Sequence, residues 1–284
     1  MTHAPVAIVR GDADYPPSLL DLPQPPETIW RIGQLDVLAG PVVAIVGTRQ
    51  ATMYGERVTR ELAGALARAG ACVLSGMARG IDGVAHRAAL DVGGKTAGVL
   101  GTGVDIAYPL AHRALHAKIA SSGLLLSELP PGAHSHRGSF PQRNRLIAAL
   151  ARLIIVVEAP KDSGALITSQ RALELNRDIA VVPGPIDLPQ CEGSNLLLRD
   201  GAHPIMSIAD ALSLVGLTAP VRTLVDPHDP DELRVWQALR QGPADLDTLC
   251  HRAALPVQRC LAAVTALELK GSIECALTGE VRKR

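Results

Sequence analysis

Short, unbroken apolar runs punctuate the middle of this 284-residue chain: Val42–Val46, Cys72–Leu74, Thr96–Leu100, Leu124–Leu126, Leu153–Val157 and Ile179–Val182. Between them lie helix-length segments whose apolar residues recur three and four apart, such as Val58–Arg68, Gly83–Leu90, Leu110–Ala120, Asn144–Ala151 and Ala165–Asn176. A strand that is apolar at every position has no solvent face, so it must be covered on both sides, and the intervening amphipathic helices supply the covers. The pattern predicts an α/β fold, a doubly wound and mostly parallel sheet, over residues 41–216.

The flanks read differently. Residues 1–40 carry Pro5, Pro16, Pro17, Pro23, Pro25 and Pro26 and are expected to be an ordered lead-in strapped against that domain. Residues 217–230, with Pro220, Pro227 and Pro230, read as a linker. Beyond it, helical patterns at Asp231–Arg240, Ala244–Ala253 and Pro256–Leu269 precede Gly271 and a strand candidate at Ser272–Leu277, which predicts a small winged-helix-like domain over residues 231–284.

Composition narrows the function. The six aromatics are Tyr15, Trp30, Tyr54, Tyr108, Phe140 and Trp236, so the core must be aliphatic and an aromatic outside an apolar pattern needs its own explanation. Five cysteines without a C-x-x-C pair, no charged-then-apolar leader and no long apolar run predict a reduced, cytoplasmic chain with neither a zinc site nor a membrane span. The formal net charge is zero, which argues against a bulk polyanion binder but leaves room for a local basic site.

Four of the six strand patterns run almost at once into glycine. Val46 leads into Gly47-Thr48-Arg49, Leu74 into Ser75-Gly76-Met77-Ala78-Arg79-Gly80, Leu100 into Gly101-Thr102-Gly103 and Val182 into Pro183-Gly184. In a parallel sheet these turns share one edge, where helix N-termini present free N–H groups and glycine allows an anion to approach closely. Arg49 and Arg79 add fixed positive charge, so a phosphate-binding edge is expected. Cofactor fingerprints are absent: Gly101-Thr102-Gly103 lacks the third glycine of G-x-G-x-x-G, and Gly94-Lys95-Thr96 precedes a strand and has Ala89 where a P-loop needs glycine. No cofactor is predicted.

From Leu129 to Val157 there is no acid, while Arg137, Arg143, Arg145 and Arg152 give a local charge of +4 beside His134 and His136. The single phenylalanine, Phe140, lies in this stretch after a polar, glycine-containing loop and before Pro141. One reading is an exposed ring on which a nucleobase stacks while arginines hold neighbouring phosphates. The equal alternative is that Phe140 plugs the loop against the sheet and the arginines pair with acids elsewhere.

The segments Ala44–Arg49, Ser75–Asp82, Val99–Asp105, Phe140–Arg145, Val157–Ala159 and Ser163-Gly164, in that order, resemble the DNA processing protein A (DprA, or Smf) family, as do His86, Ser127-Glu128 and Val182–Gly184. The resemblance covers roughly residues 14–216. It implies a Rossmann-like core acting as a homodimer, a groove for single-stranded DNA over the strand ends, and a part in natural transformation that includes loading the recombinase RecA. The DNA-binding residues it points to are Gly47, Thr48, Arg49, Gly76, Arg79, Phe140, Arg143, Asn144 and Arg145, with Ser75 and Gly80 from the same loop and Ser163 and Gly164 as a further anion nest. Thr48 stands where the family commonly has serine and Met77 where it has leucine. Many members carry a helical domain ahead of the lead-in, and its function is expected to be absent here.

A rival class is a nucleotide glycosidic-bond hydrolase using Glu128 and Glu158, which end two strands. No nucleophile–base–orienter pattern supports it, so no catalytic residue is predicted, and these glutamates are expected to orient Arg143 or Arg145. Asp82 is expected to cap a helix, and His86 to fix the Arg79 loop by a hydrogen bond. A dimer surface is expected on late helices such as Leu196–Leu198 or Ala209–Val215. The C-terminal module from Asp229 balances eight basic against eight acidic residues, which favours a protein contact at least as much as groove reading, with the tail Arg282-Lys283-Arg284 free to touch phosphate.

Overall fold

The architecture comes from a computed structural model that describes residues 4–218, 229–276 and 279–283. The chain divides into two compact units, Met1–Pro220 and Val221–Arg284. Most of the expected linker, together with Leu277 of the strand candidate and Arg284 of the tail, lies outside the described residues.

In the first unit the strands are β1 (Val6–Val9), β2 (Thr28–Gly33), β3 (Val42–Val46), β4 (Cys72–Ser75), β5 (Thr96–Val99), β6 (Leu124–Ser127), β7 (Leu153–Val156), β8 (Asp178–Val181) and β9 (His203–Pro204). They form one sheet in the order β1-β2-β6-β5-β4-β3-β7-β8-β9. From β6 to β9 all neighbours are parallel. The lead-in contributes β1 and β2, which extend the sheet antiparallel beyond β6.

The strands alternate with α1 (Met53–Arg68), α2 (Ile81–Asp91), α3 (Arg113–Ser122), α4 (Ser139–Leu150), α5 (Gly164–Glu174), α6 (Pro189–Arg199) and α7 (Ile208–Leu214). On one face, Val43 and Ile45 of β3 pack with Leu62 and Leu66 of α1, Ala85 and Ala88 of α2, and Ala211 and Leu212 of α7. On the other, Ala44 and Val46 pack with Leu146 and Ile147 of α4 and Ala172 of α5. Both faces are therefore buried, which is why the strands read as continuous apolar runs. Each large aliphatic side chain so buried contributes about 1.5–3 kcal/mol, so a core in which Tyr15 is the one aromatic among the described buried residues of these two faces is sufficient. Ala211, Leu212 and Val215 are spent inside this core, which removes much of Ala209–Val215 from the expected dimer surface.

Chain direction across the sheet sets the position of the site. From β3 the chain steps outward through β4 and β5 to β6, then returns to place β7 against the opposite edge of β3. The loops following β3 and β7 must diverge, and a crevice opens between them at the carboxyl ends of the strands.

The second unit packs α8 (Pro230–Ala238), α9 (Leu246–Ala253) and α10 (Val257–Leu269) with the antiparallel pair β10 (Ile273–Cys275) and β11 (Val281–Lys283). Trp236, Leu249, Leu267, Ile273 and Val281 form its core. Ala244 bridges to Val281, which fastens the wing to the helices.

Candidate nucleic-acid interface

Two adjoining clefts open where the switch point predicts. The larger, about 470 Å³, lies between the β3 loop (Gly47 to Gln50) and the start of α5 (Ser163 to Thr168). Its neighbour, about 390 Å³, is bounded by Gly76 to Arg79, Tyr108 and Pro109. Arg49, Gln50, Ala78, Phe140 and Arg143 border both.

The loops are held at close quarters. Thr48 donates its amide to Glu158 O at 2.7 Å and Ile81 donates to Thr48 O at 3.3 Å, so the β3, β7 and β4 loops share a joint. Gly80 sits there at φ +69°, and a Cβ on it would meet Thr48 O at 2.3 Å, so the position demands glycine on both conformational and steric grounds. Met77, with φ 61°, also adopts the left-handed region without being glycine. Its carbonyl meets His112 Nδ1 at 3.0 Å.

The arginines separate into two kinds. Arg143 is 7% exposed, and its Nη1 donates to Gly76 O at 2.5 Å and to Val99 O. Its Nε reaches Asn144 Oδ1 at 3.2 Å, and Asn144 in turn donates to Gly164 O at 3.1 Å. This relay ties the ends of β4 and β5 to the α5 loop. Burial pulls the Arg143 guanidinium down to about 10, opposed by the charge of Asp82 and assisted by that of Arg49. Burial likewise raises the Asp82 carboxyl, with Arg143 and the amides of Ala78 and Gly76 acting against it. Arg143 is thus a strut, with Nη1 and Nε committed to the protein's own oxygens.

Arg49 and Arg79 are the reverse case. Both are exposed, both border the smaller cleft, and among the described residues neither has an acidic or hydrogen-bonding partner. The Arg49 guanidinium lies 5.8 Å from the centroid of Phe140. Free guanidiniums beside aromatic surface are suited to phosphate on a strand whose bases are unstacked.

Phe140 is the second residue of α4, since the helix begins at Ser139 rather than at Asn144. Pro141 is accommodated because the first-turn amides have no intrahelical acceptor. The ring is half-buried rather than fully exposed: it lies against Gly101, where a Cβ would stand 2.8 Å from Phe140 Cδ1. Tyr108 packs at 5.2 Å between centroids, tilted by 34°, and is itself 46% exposed. In the sequence Tyr108 is one of six aromatics with nothing in its apolar pattern to place it here. Its position shortly after Gly101-Thr102-Gly103 was the available signal.

Other expected residues sit elsewhere. Ser75 is fully buried and donates to Ile45 O at 2.6 Å, so its hydroxyl joins two strands instead of facing a ligand. Arg145 turns away from Arg49, pairing with Glu128 at 2.5 Å and with Gln24 O at 2.9 Å. That pairing fits the role expected of Glu128. Among the described residues Glu158 pairs with no arginine: its carboxylate accepts from Thr52 N at 3.0 Å and Thr52 Oγ1 at 2.5 Å, at the N-terminus of α1. A Cβ on Gly55 would lie 2.4 Å from that carboxylate. Asp82 is not a cap, because Gly80 holds that position, and its carboxylate accepts from Gly76 N and Ala78 N instead. His86 meets Thr96 Oγ1 at 2.7 Å rather than the Arg79 loop. Ser163 caps α5, accepting from Ala165 N at 3.2 Å, and leaves Gly164 exposed at the rim of the larger cleft.

In the second unit several cations are occupied. Arg259 of α10 forms a two-bond pair with Asp231 at 2.6 Å each, and Lys270 pairs with Glu232 at 2.6 Å. Lys283 stands 4.0 Å over the Trp236 ring and Arg282 pairs with Glu274 at 3.3 Å.

Among the described residues, no helix is long and apolar enough to cross a membrane, no cluster of side chains could hold a metal ion, and all five thiols are free.

A family model described as DNA recombination-mediator protein A matches residues 6–216, and one described as the DprA winged helix domain matches residues 219–276. Protein Smf of Synechocystis is 44% identical over 216 residues, which is 75% of this chain and 54% of that protein, so the match spans about half of the relative's length. DNA processing protein DprA of Streptococcus pneumoniae is 41% identical over 71% of each chain. The solved structure of the S. pneumoniae protein superposes with a TM-score of 0.71 at 39% identity, covering 73% of each chain. A structure of DNA processing protein A from Helicobacter pylori, described by its single-stranded DNA binding mode, gives a TM-score of 0.67 at 31% identity over 73% of this chain and 94% of that one.

Proposed function

This chain belongs to the DNA recombination-mediator protein A (DprA/Smf) family, and from that premise we propose that it is a non-catalytic, cytoplasmic protein that binds single-stranded DNA across the switch-point edge of its sheet. The observation that carries the reading is the pair of exposed guanidiniums, Arg49 and Arg79, which among the described residues have no acidic or hydrogen-bonding partner, on a cleft walled by Phe140 and Tyr108. Arg49 and Arg79 hold phosphates, the amides near Gly47, Thr48 and Gly164 add donors, and the Phe140 ring takes an unstacked base. Duplex DNA keeps its base faces stacked, so a site that uses ring surface favours single strands.

Arg143, Asn144, Ser75, Gly76 and Gly80 act one step back, fixing the loops on which the contacts stand. The mediator role extends this reading: the protein acts as a homodimer that keeps incoming strands covered and passes them to RecA. Engagement of Glu128 by Arg145 and of Glu158 by Thr52 supports the absence of catalysis.

The test is a fluorescence anisotropy titration with a thymidine oligomer and with a duplex of equal length at the same salt concentration. The single strand is expected to bind at least tenfold more tightly, about 1.4 kcal/mol. Equal affinity for both would overturn the stacking site. Nucleation of RecA on strands already covered by a single-strand-binding protein, faster with this chain than without it, tests the mediator role.

A further inference from the structure

The smaller cleft contains a second aromatic ring that is more open to solvent than Phe140. Tyr108 is 46% exposed, whereas Phe140 is half-buried, backed by Gly101 and approached by Arg49 at 5.8 Å and Arg143 at 6.0 Å. The two rings are tilted by 34° at 5.2 Å, so they are not a closed stack that consumes both faces. On the same cleft, Arg79 is exposed and without an acidic partner among the described residues. A volume of about 390 Å³ lies within the range of sites that hold a small ligand group. An exposed ring beside a free guanidinium is the pair of groups a single nucleotide needs, one for the base and one for the phosphate.

We propose that this cleft is a second nucleotide subsite, in which Tyr108 stacks the base and Arg79 meets the phosphate of the nucleotide next to the one held at Phe140 and Arg49. The inference rests on the single-strand reading above and deepens it: the strand crosses from the larger cleft over the Phe140–Arg49 wall into the Tyr108 cleft. The ring does the binding and the hydroxyl is dispensable, so phenylalanine serves at position 108.

The experiment is a titration of thymidine oligomers of increasing length against wild type, Tyr108→Ala, Tyr108→Phe and Arg49→Ala, with each variant's thermal unfolding measured beside it. Tyr108→Ala is expected to bind the longer oligomers about 5- to 150-fold more weakly, the worth of one base stack, and to match wild type on the shortest oligomer that binds. Tyr108→Phe is expected to match wild type throughout. In a Tyr108→Trp variant, the added indole fluorescence is expected to be quenched by the long oligomers and not by that shortest one.

Wild-type affinity of Tyr108→Ala at every length, or an equal loss at every length, overturns the second subsite while leaving the single-strand reading intact. Failure of Arg49→Ala to weaken binding overturns the single-strand reading itself.

Discussion

Arg143→Ala distinguishes a buried strut from a DNA ligand, two roles that the sequence alone does not separate. The substitution removes the donor to Gly76 O and Val99 O, the contact to Asn144 Oδ1 and the positive charge opposing the buried carboxyl of Asp82. Leaving buried carbonyl acceptors such as these without their donor costs about 1–3 kcal/mol each. Asp82 keeps its amide donors at Gly76 and Ala78, which places the expected loss toward the lower end. Against a typical total of about 5–15 kcal/mol this is a large fraction of the first unit's stability.

The assay is urea unfolding followed by Trp30 fluorescence in a Trp236→Phe background, so that only the first unit is read. Arg49→Ala serves as the control and is expected to shift stability by less than about 0.5 kcal/mol. The pH dependence gives a second readout. Without Arg143, the Asp82 carboxyl rises further above its unfolded value, so the folded state binds the proton more tightly than the unfolded state. The variant's deficit therefore shrinks as pH falls through that raised value and grows as pH rises. An Arg143→Ala protein as stable as wild type that has lost DNA binding would refute the strut and make Arg143 a ligand.

Two further outcomes follow from the same geometry. Thr96 Oγ1 spends its proton on Val73 O, so His86 Nδ1 must donate to Thr96, leaving Nε2 buried without a partner among the described residues. Burial, with help from His112, Arg87 and Arg143, lowers this imidazole to about 3. Its folded value lies below the unfolded one, so it contributes stability above about pH 6.5 that is lost as pH falls toward 3, at up to about 1.4 kcal/mol per pH unit. His86→Asn keeps a donor for Thr96 but cannot take up the proton, so its acid limb measured by urea unfolding is expected to be shallower; an unchanged slope contradicts the assignment. Gly101→Val places side-chain atoms against Phe140 and is expected to displace the ring, weakening a thymidine oligomer several-fold in an anisotropy titration; wild-type affinity would show that the ring's position is immaterial.

The parallel core was legible because a strand buried on both faces leaves an unbroken apolar run, and β3 through β8 each did so. β1 and β2 were not, since these strands among prolines bury only part of their length: only Ile8 of β1 and Ile29 and Ile32 of β2 are buried. β9 is two residues long and carries no pattern. The site was legible as an edge, because strand-end glycines and Arg49 and Arg79 are local signals. What each side chain bonds to was not. Arg143 looks in sequence like its neighbour Arg145, yet one is buried under the β4 and β5 loops and the other is held by Glu128 on a different side. Glu158 finds Thr52, 106 residues away, and only the switch-point topology brings them together.

The central claim is that Arg49 and Arg79 hold phosphates, and the salt dependence of single-strand binding in wild type, Arg49→Ala and Arg79→Ala tests it most directly. Each lost phosphate contact is expected to make the slope of log K against log salt shallower by about 0.7, from a wild-type slope near −3 if about four phosphates are neutralised. Slopes identical to wild type in both single variants would contradict the account and place the DNA elsewhere on the protein.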